Sequence, residues 1–294
     1  MTVRRASAAL AAVLAAPVAI GCPCGASLGP VAPWTRATEG GARAAGVTFQ
    51  SEVGTVDGQG RGWSSPAGVS AHRATLDLAA AWRVAPAVEL AAQWTAAYTT
   101  LSLPGASRDG VVAGDASVRA RWESAAPLRR ALPQVAAWAA LRAPTGSAGD
   151  GALAAVSGLG LGAWEPALGV ELRWRVATPW TVLALTEVGV RVAPTGPVQP
   201  GVRWMAGAAV AHQATARWGW TAALTEVVEG EAREGGASVA GSGTRRSMLA
   251  LGASARWTDD LRMTMMVGGD LPVPGLARNI TTQVRAGVTL VWAR

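Results

Sequence analysis

Apolar and polar residues alternate with a period of two in segment after segment of this chain, which strands with two unlike faces satisfy and helices do not. In Val88 to Tyr98, the residues Val88, Leu90, Ala92, Trp94, Ala96 and Tyr98 alternate with Glu89, Ala91, Gln93, Thr95 and Ala97. Further on, Leu168, Val170, Leu172, Trp174 and Val176 stand opposite Glu171, Arg173 and Arg175. The same parity sets Ala116, Val118, Ala120 and Trp122 against Asp115, Ser117, Arg119, Arg121 and Glu123, and Val188, Val190 and Val192 against Glu187 and Arg191. Near the end, Ile280, Val284, Ala286, Val288, Leu290 and Trp292 face away from Thr281, Gln283, Arg285 and Thr289. Weaker segments near 43–53, 70–83, 132–143, 200–212, 216–228, 247–257 and 260–269 bring the total to about twelve strands.

The connections alternate in kind. Gly58 to Gly62, Pro144 to Gly151 and Gly235 to Gly243 are long and Gly-rich, whereas Thr258-Asp259-Asp260 and Ala177-Thr178-Pro179 are tight. One elaborate rim and one plain rim are what an up-and-down antiparallel barrel requires. Ala-Pro-Thr-Gly occurs at 143–146 and again at 193–196, each time as a strand-to-loop exit.

Such strands bury their apolar face either in the core of a soluble sandwich or in lipid. Tryptophan placement favours lipid. Trp82, Trp94, Trp122, Trp174, Trp204 and Trp292 fall on the apolar face, several near strand ends, as aromatic girdles at bilayer interfaces do. The opposite faces carry Arg and Glu in the clear strands, which suits a polar lumen. The expectation is an all-β, transmembrane up-and-down antiparallel barrel over residues 42–294, set in the outer membrane of a Gram-negative cell. A soluble secreted sandwich is the alternative architecture.

The N-terminus directs export. Met1 to Arg5 carries two Arg, Ala6 to Ile20 is apolar or small, and Gly21-Cys22-Pro23-Cys24 follows, in the order of a secretory signal. We read residues 1–21 as a Sec-type signal peptide and 22–41 as an N-terminal segment. Cleavage after Gly21, cleavage after Ala26 and lipidation at Cys22 all remain open. The apolar run is too short to span a bilayer as a helix, and no later segment reaches the ~18 apolar residues that would. Loss of the signal with its two Arg lowers the formal net charge from +7 to +5.

All 26 basic residues are Arg, but they are spread singly along the chain without the stripe of a nucleic-acid binder. No nucleic-acid partner is expected. Catalysis has little to stand on: His72 and His212 are the two histidines, neither in metal-ligand spacing, and no nucleophile elbow, phosphate loop or zinc-protease motif occurs. A barrel-embedded lipid hydrolase would use His72 or His212 with a rim serine, and the sequence pairs neither with one. Cys22 and Cys24 make half a metal site, and signal loss, a lipid anchor or a disulfide outranks metal binding. No cofactor, metal or enzymatic activity is expected.

Gly114-Asp115 followed by Arg119 and Arg121, then Leu141-Arg142-Ala143-Pro144-Thr145-Gly146, then Gly158-Leu159-Gly160-Leu161-Gly162-Ala163-Trp164, resembles the family of outer-membrane barrels named for the meta-pathway of phenol degradation. That family carries a Gly-Asp strand start, a Pro-Thr-Gly turn and a Gly-x-Gly lead into the next strand, in that order. The match is best over 110–176 and looser to the end of the chain. The resemblance implies a transporter of small molecules, and lateral access for hydrophobic compounds follows from it alone. Many such barrels end on an aromatic residue read by the barrel-insertion machinery, whereas here Trp292 is followed by Ala293-Arg294.

The candidate site is the lumen face. In one barrel, Arg119, Arg121, Glu123, Glu171, Arg173, Arg175, Glu187, Arg191 and Arg285 point inward together. Either they form a network that plugs the lumen, which the alternation of sign favours, or their Arg excess makes an anion-attracting pore. The expected function is a passive channel or transporter for small molecules, hydrophobic or anionic, with outer-membrane lipid and the insertion machinery as partners. The alternative is a non-conducting structural or surface-binding barrel.

Overall fold

Strand edges expose backbone groups that lipid cannot satisfy, so a bilayer-embedded sheet must close on itself. In a computed structural model describing residues 40–64, 69–124, 132–146, 162–177, 179–192, 198–215, 217–273 and 275–294, it does. Twelve antiparallel strands make the wall. They are β1 (Gly41–Val56), β2 (Ser70–Ala85), β3 (Val88–Leu103), β4 (Ala116–Glu123), β5 (Gln134–Ala143) and β6 (Glu165–Ala177). The ring continues through β7 (Trp180–Gly189), β8 (Arg203–Gln213), β9 (Trp218–Glu229), β10 (Thr244–Arg256), β11 (Leu261–Asp270) and β12 (Ile280–Ala293). Each pairs with its sequence neighbour, and β12 returns to β1 from Ala42↔Ala293 to Val56↔Ile280. Among the described residues there is no helix. The closed ring excludes the sandwich.

The start of β1 and the end of β12 lie at the plain rim, where Gly41 and Arg294 exchange backbone hydrogen bonds of 3.0 and 2.9 Å. Short turns follow there after β2, β6, β8 and β10. Hydroxyls shape two of them: Thr215 Oγ1 accepts from Trp218 N at 3.0 Å, and Thr258 Oγ1 accepts from Leu261 N at 3.0 Å. The other rim carries the elaborate connections. After β3, Pro104-Gly105, with Gly105 at φ +77°, turns the chain into the strand Ala106–Ala113, which pairs with the upper half of β3. β4 takes over the lower half after a bulge at Gly114-Asp115. Short periplasmic turns and long extracellular loops are the usual polarity of such barrels, so the elaborate rim faces outward from the cell.

Here the Gly-Asp and Pro-Thr-Gly motifs meet. Asp115 Oδ1 accepts from Gly146 N at 2.9 Å, and Thr145 Oγ1 accepts from Ala116 N at 2.7 Å. A Cβ on Gly146 would stand 2.9 Å from both Ala113 O and Asp115 Oδ1, so glycine is required. Both 193–196, the second Ala-Pro-Thr-Gly, and residues 158–161 lie outside the described residues, as do the expected signal peptide and all but the last residues of the 22–41 segment.

The outer surface is apolar. Val47, Leu78, Val170, Leu224 and Val267 are exposed around the middle of the wall. Trp82, Trp122, Trp174, Trp180, Trp220 and Trp292 gather toward the plain rim and form a girdle there. Trp94 is on the apolar face as read from sequence and pairs with Leu78 at mid-wall. One detail departs from the sequence reading. Ile280 does not face lipid, because the rim connections bury it with Val56 and Ala277.

Candidate functional site: a charged lumen face

Strand parity sends odd-numbered residues of β2, β3, β4, β6, β7 and β8 and even-numbered residues of β5 inward, and most of the barrel's buried charge lies on this part of the wall. The nine residues singled out from sequence fall into three groups. In the first, Glu171 receives Arg173 Nη2 at 3.0 Å and Arg121 Nη2 at 3.6 Å. Arg121 also pairs with Glu123, which takes a hydrogen bond from Gln134 and lies 4.0 Å from Arg83. Arg119 and Arg175 are partly buried on the same face, and Arg119 feels the charges of Glu89, Arg121, Glu171 and Glu187.

The second group gathers around Glu165, which is 2% exposed. Its Oε1 accepts from Arg142 Nη1 at 3.0 Å and from Arg203 Nε and Nη2 at 3.0 and 2.7 Å. Its Oε2 accepts from Arg191 Nε at 3.0 Å. Arg203 reaches on to Glu187 at 2.6 Å, and Arg191 to Glu229 at 2.6 Å. Trp138 Nε1 donates to Glu187 at 2.8 Å while its ring lies over Gly169, where a Cβ would come within 2.2 Å of the indole.

Arg285 stands apart in the third group, on β12, opposite β6 in the ring of twelve. With Arg246 it flanks Asp270, each 3.8 Å away. Between these charged sectors, the plain-rim end of β12, β1, β2 and β3 presents buried small residues inward, including Ala42, Ala44, Ala81, Ala91 and Ala293.

Sequence reading did not single out Glu165, Arg142, Arg203, Glu229 or Trp138. Glu165 shares the parity of Glu171 and Arg173, so carrying the alternation two residues upstream of Ala167 would have found it. Arg203 opens a strand whose inner face continues with Met205, Gly207, Ala209, Ala211 and Gln213, with no charge alternation to mark it.

The histidines sit elsewhere, on the outer face. His212 stacks on Trp220 with centroids 5.5 Å apart and meets Trp180 edge-on at 4.5 Å. His72 Nδ1 lies 2.9 Å from Ser51 Oγ. At the elaborate rim, the backbone N–H of Arg61 and its guanidinium hold the Asp57 carboxyl below its ordinary range. Glu231 is lowered likewise by the backbone N–H of Gly241 and the Ser238 hydroxyl. The described residues contain no group of three or more His, Cys, Asp and Glu able to hold a metal ion.

No family model and no curated protein matches the chain. Solved structures do. The COG4313 outer membrane channel from Pseudomonas putida F1 is similar with a TM-score of 0.67 at 16% identity, over 86% of this chain and 96% of that one. The transport unit of the autotransporter AIDA-I from Escherichia coli is similar with a TM-score of 0.50 at 7% identity, over 87% and 91%. At such identities the likeness is one of fold. The class is therefore defined: a twelve-stranded outer-membrane β-barrel, with an apolar wall that seats it in the outer membrane.

Proposed function

We propose that the protein is a passive outer-membrane channel for small solutes, with a lumen lined by Arg–Glu pairs. The observation that carries this reading is the chemistry of the inner face. A barrel selected only for stability gains more from apolar packing than from buried ion pairs, whose desolvation offsets most of their attraction. Here Arg121, Glu165, Glu171 and Arg203 occupy inward positions that Leu or Val would fill at lower cost. The pairs also run around the wall. Glu165 bonds to residues on and beside β5, β7 and β8, and Glu171 to residues on β4 and its own strand, so these bonds follow the circumference.

The first group holds more Arg than Glu, which favours anions over cations of the same size. The family resemblance adds a transporter of small molecules, and the Pseudomonas neighbour is itself a channel. Liposomes containing the protein are expected to swell in small-solute gradients, with a rate that changes on Arg119→Ala or Arg173→Ala. The second reading, a non-conducting barrel, is favoured by how little of the charged face solvent reaches: Arg203 is 4% exposed. Liposomes that stay impermeable with wild type and both variants select it.

A further inference from the structure

Across four neighbouring strands at the elaborate rim, register builds two rows on the outer face. The upper row runs Ser51, His72, Thr100, Asp109, each directly opposite the next. The row beneath runs Phe49, Ala74, Tyr98, Val111, with Ala286 flanking Phe49. A cavity of about 480 Å³ opens over both rows, lined by Phe49, Ala74, Tyr98 and Ala286 below and Ser51, His72 and Thr100 above, with Val284, Gln50, Arg73 and Arg285 also in its lining. Phe49 is 63% exposed, and with Tyr98 it walls a groove whose floor is Ala74.

The height of these rows fixes what they meet. The outward residues of β2 run Trp82, Ala80, Leu78, Leu76, Ala74 and then His72. Trp82 to Ala74 is the length of a tilted span, ~9 residues. His72 is the first polar residue above the apolar band, so the Ser51–His72 pair lies at the boundary between acyl chains and headgroups in the outer leaflet. That is the depth at which lipid acyl esters lie, with their chains directed down toward Phe49 and Ala74.

From this geometry we infer that Ser51 and His72 are a nucleophile and its general base, hydrolysing the acyl ester of an outer-leaflet lipid whose chain occupies the Phe49–Ala74–Tyr98 groove. The inference rests on the barrel's place in the outer membrane and is independent of conduction. Ser51 Oγ is within hydrogen-bond reach of His72 Nδ1, the relationship that activates a serine hydroxyl. Ser51 Oγ attacks the ester carbonyl carbon as its proton passes to His72 Nδ1. The tetrahedral adduct collapses, the C–O bond to the alcohol breaks, and that alcohol leaves with the proton from His72. Water, deprotonated by His72, then attacks the acyl-Ser51 carbonyl, releasing the carboxylic acid and restoring the serine.

The test uses purified full-length protein in detergent, with folding of every variant checked by its heat-dependent gel mobility. Wild type is expected to be labelled by a fluorophosphonate probe and to release p-nitrophenol from p-nitrophenyl laurate. Ser51→Ala removes both signals, and His72→Gln lowers the rate ~10²-fold or more. Ala74→Trp fills the groove and lowers turnover of laurate by a larger factor than turnover of p-nitrophenyl acetate. Absence of labelling in folded wild type, labelling that survives Ser51→Ala, or laurate turnover untouched by Ala74→Trp overturns the assignment. None of these results bears on solute flux.

Discussion

Arg203 holds Glu165 through two nitrogens on one oxygen, Nε at 3.0 Å and Nη2 at 2.7 Å. The same carboxylate is shared with Arg142 and Arg191, so a single acid ties together three guanidinium groups on the inner wall, two of which also reach Glu187 and Glu229. Replacing it as Glu165→Gln takes from buried Arg142 the carboxylate it bonds, and leaves Arg203 and Arg191 with Glu187 and Glu229 alone. The expected cost is ~3–5 kcal/mol, the usual penalty for breaking a buried pair by removing one partner. A lower urea midpoint for the loss of the heat-modifiable band measures it, and an unchanged midpoint contradicts the cluster.

Trp138 and Gly169 make a second, sharper requirement. A Cβ at Gly169 would overlap the indole, so Gly169→Ala must displace the ring and its bond to Glu187. Overpacking of this kind costs ~1–3 kcal/mol. The variant is expected to shift tryptophan emission as well as stability, whereas Gly105→Ala, at a rim turn with open space around it, shifts stability without the spectral change.

On the outer wall, Leu78 sits level with Trp94, midway between the girdle at Trp82 and the polar row at His72. Leu78→Arg places a charge near the bilayer midplane and is expected to cost ~2–4 kcal/mol. Folding into lipid vesicles of defined thickness reads it. The inward substitution Ala79→Ser, one residue away, is the control that leaves the lipid face intact.

The Asp57–Arg61 turn lies on the rim, outside the membrane. Because the folded carboxyl titrates below its ordinary value of 3.8, its contribution is fully present above that pH and is lost only as pH falls through the lower folded value. The turn is therefore expected to resist protease at pH 4 as it does at pH 7. Asp57→Asn removes the charge but not the fold, and raises nicking at Gly58 to Gly62 at both pH values.

The barrel was legible because lipid and lumen impose opposite demands on successive residues. Arg173 and Glu171 stand out against Leu172 and Trp174 on sequence alone. The grouping of the charges was not legible. Which Glu meets which Arg depends on register between strands, and β5 offers only Gln134 and Arg142 as inward polar markers among alanines and Trp138. Glu165 was hidden for another reason: Pro166 and Gly169 break the strand signature just where its parity would have revealed it. The Ser51–His72 pair needed register too, since the two lie 21 residues apart on segments read only weakly as strands.

The most direct test of the channel account is single-channel recording of the purified, heat-modifiable protein in a planar bilayer under a salt gradient. The account predicts small, discrete conductance steps with a reversal potential displaced toward the anion value, and a smaller displacement for Arg173→Ala. A silent bilayer containing correctly folded barrel, or a cation-selective current indifferent to Arg173, would contradict it.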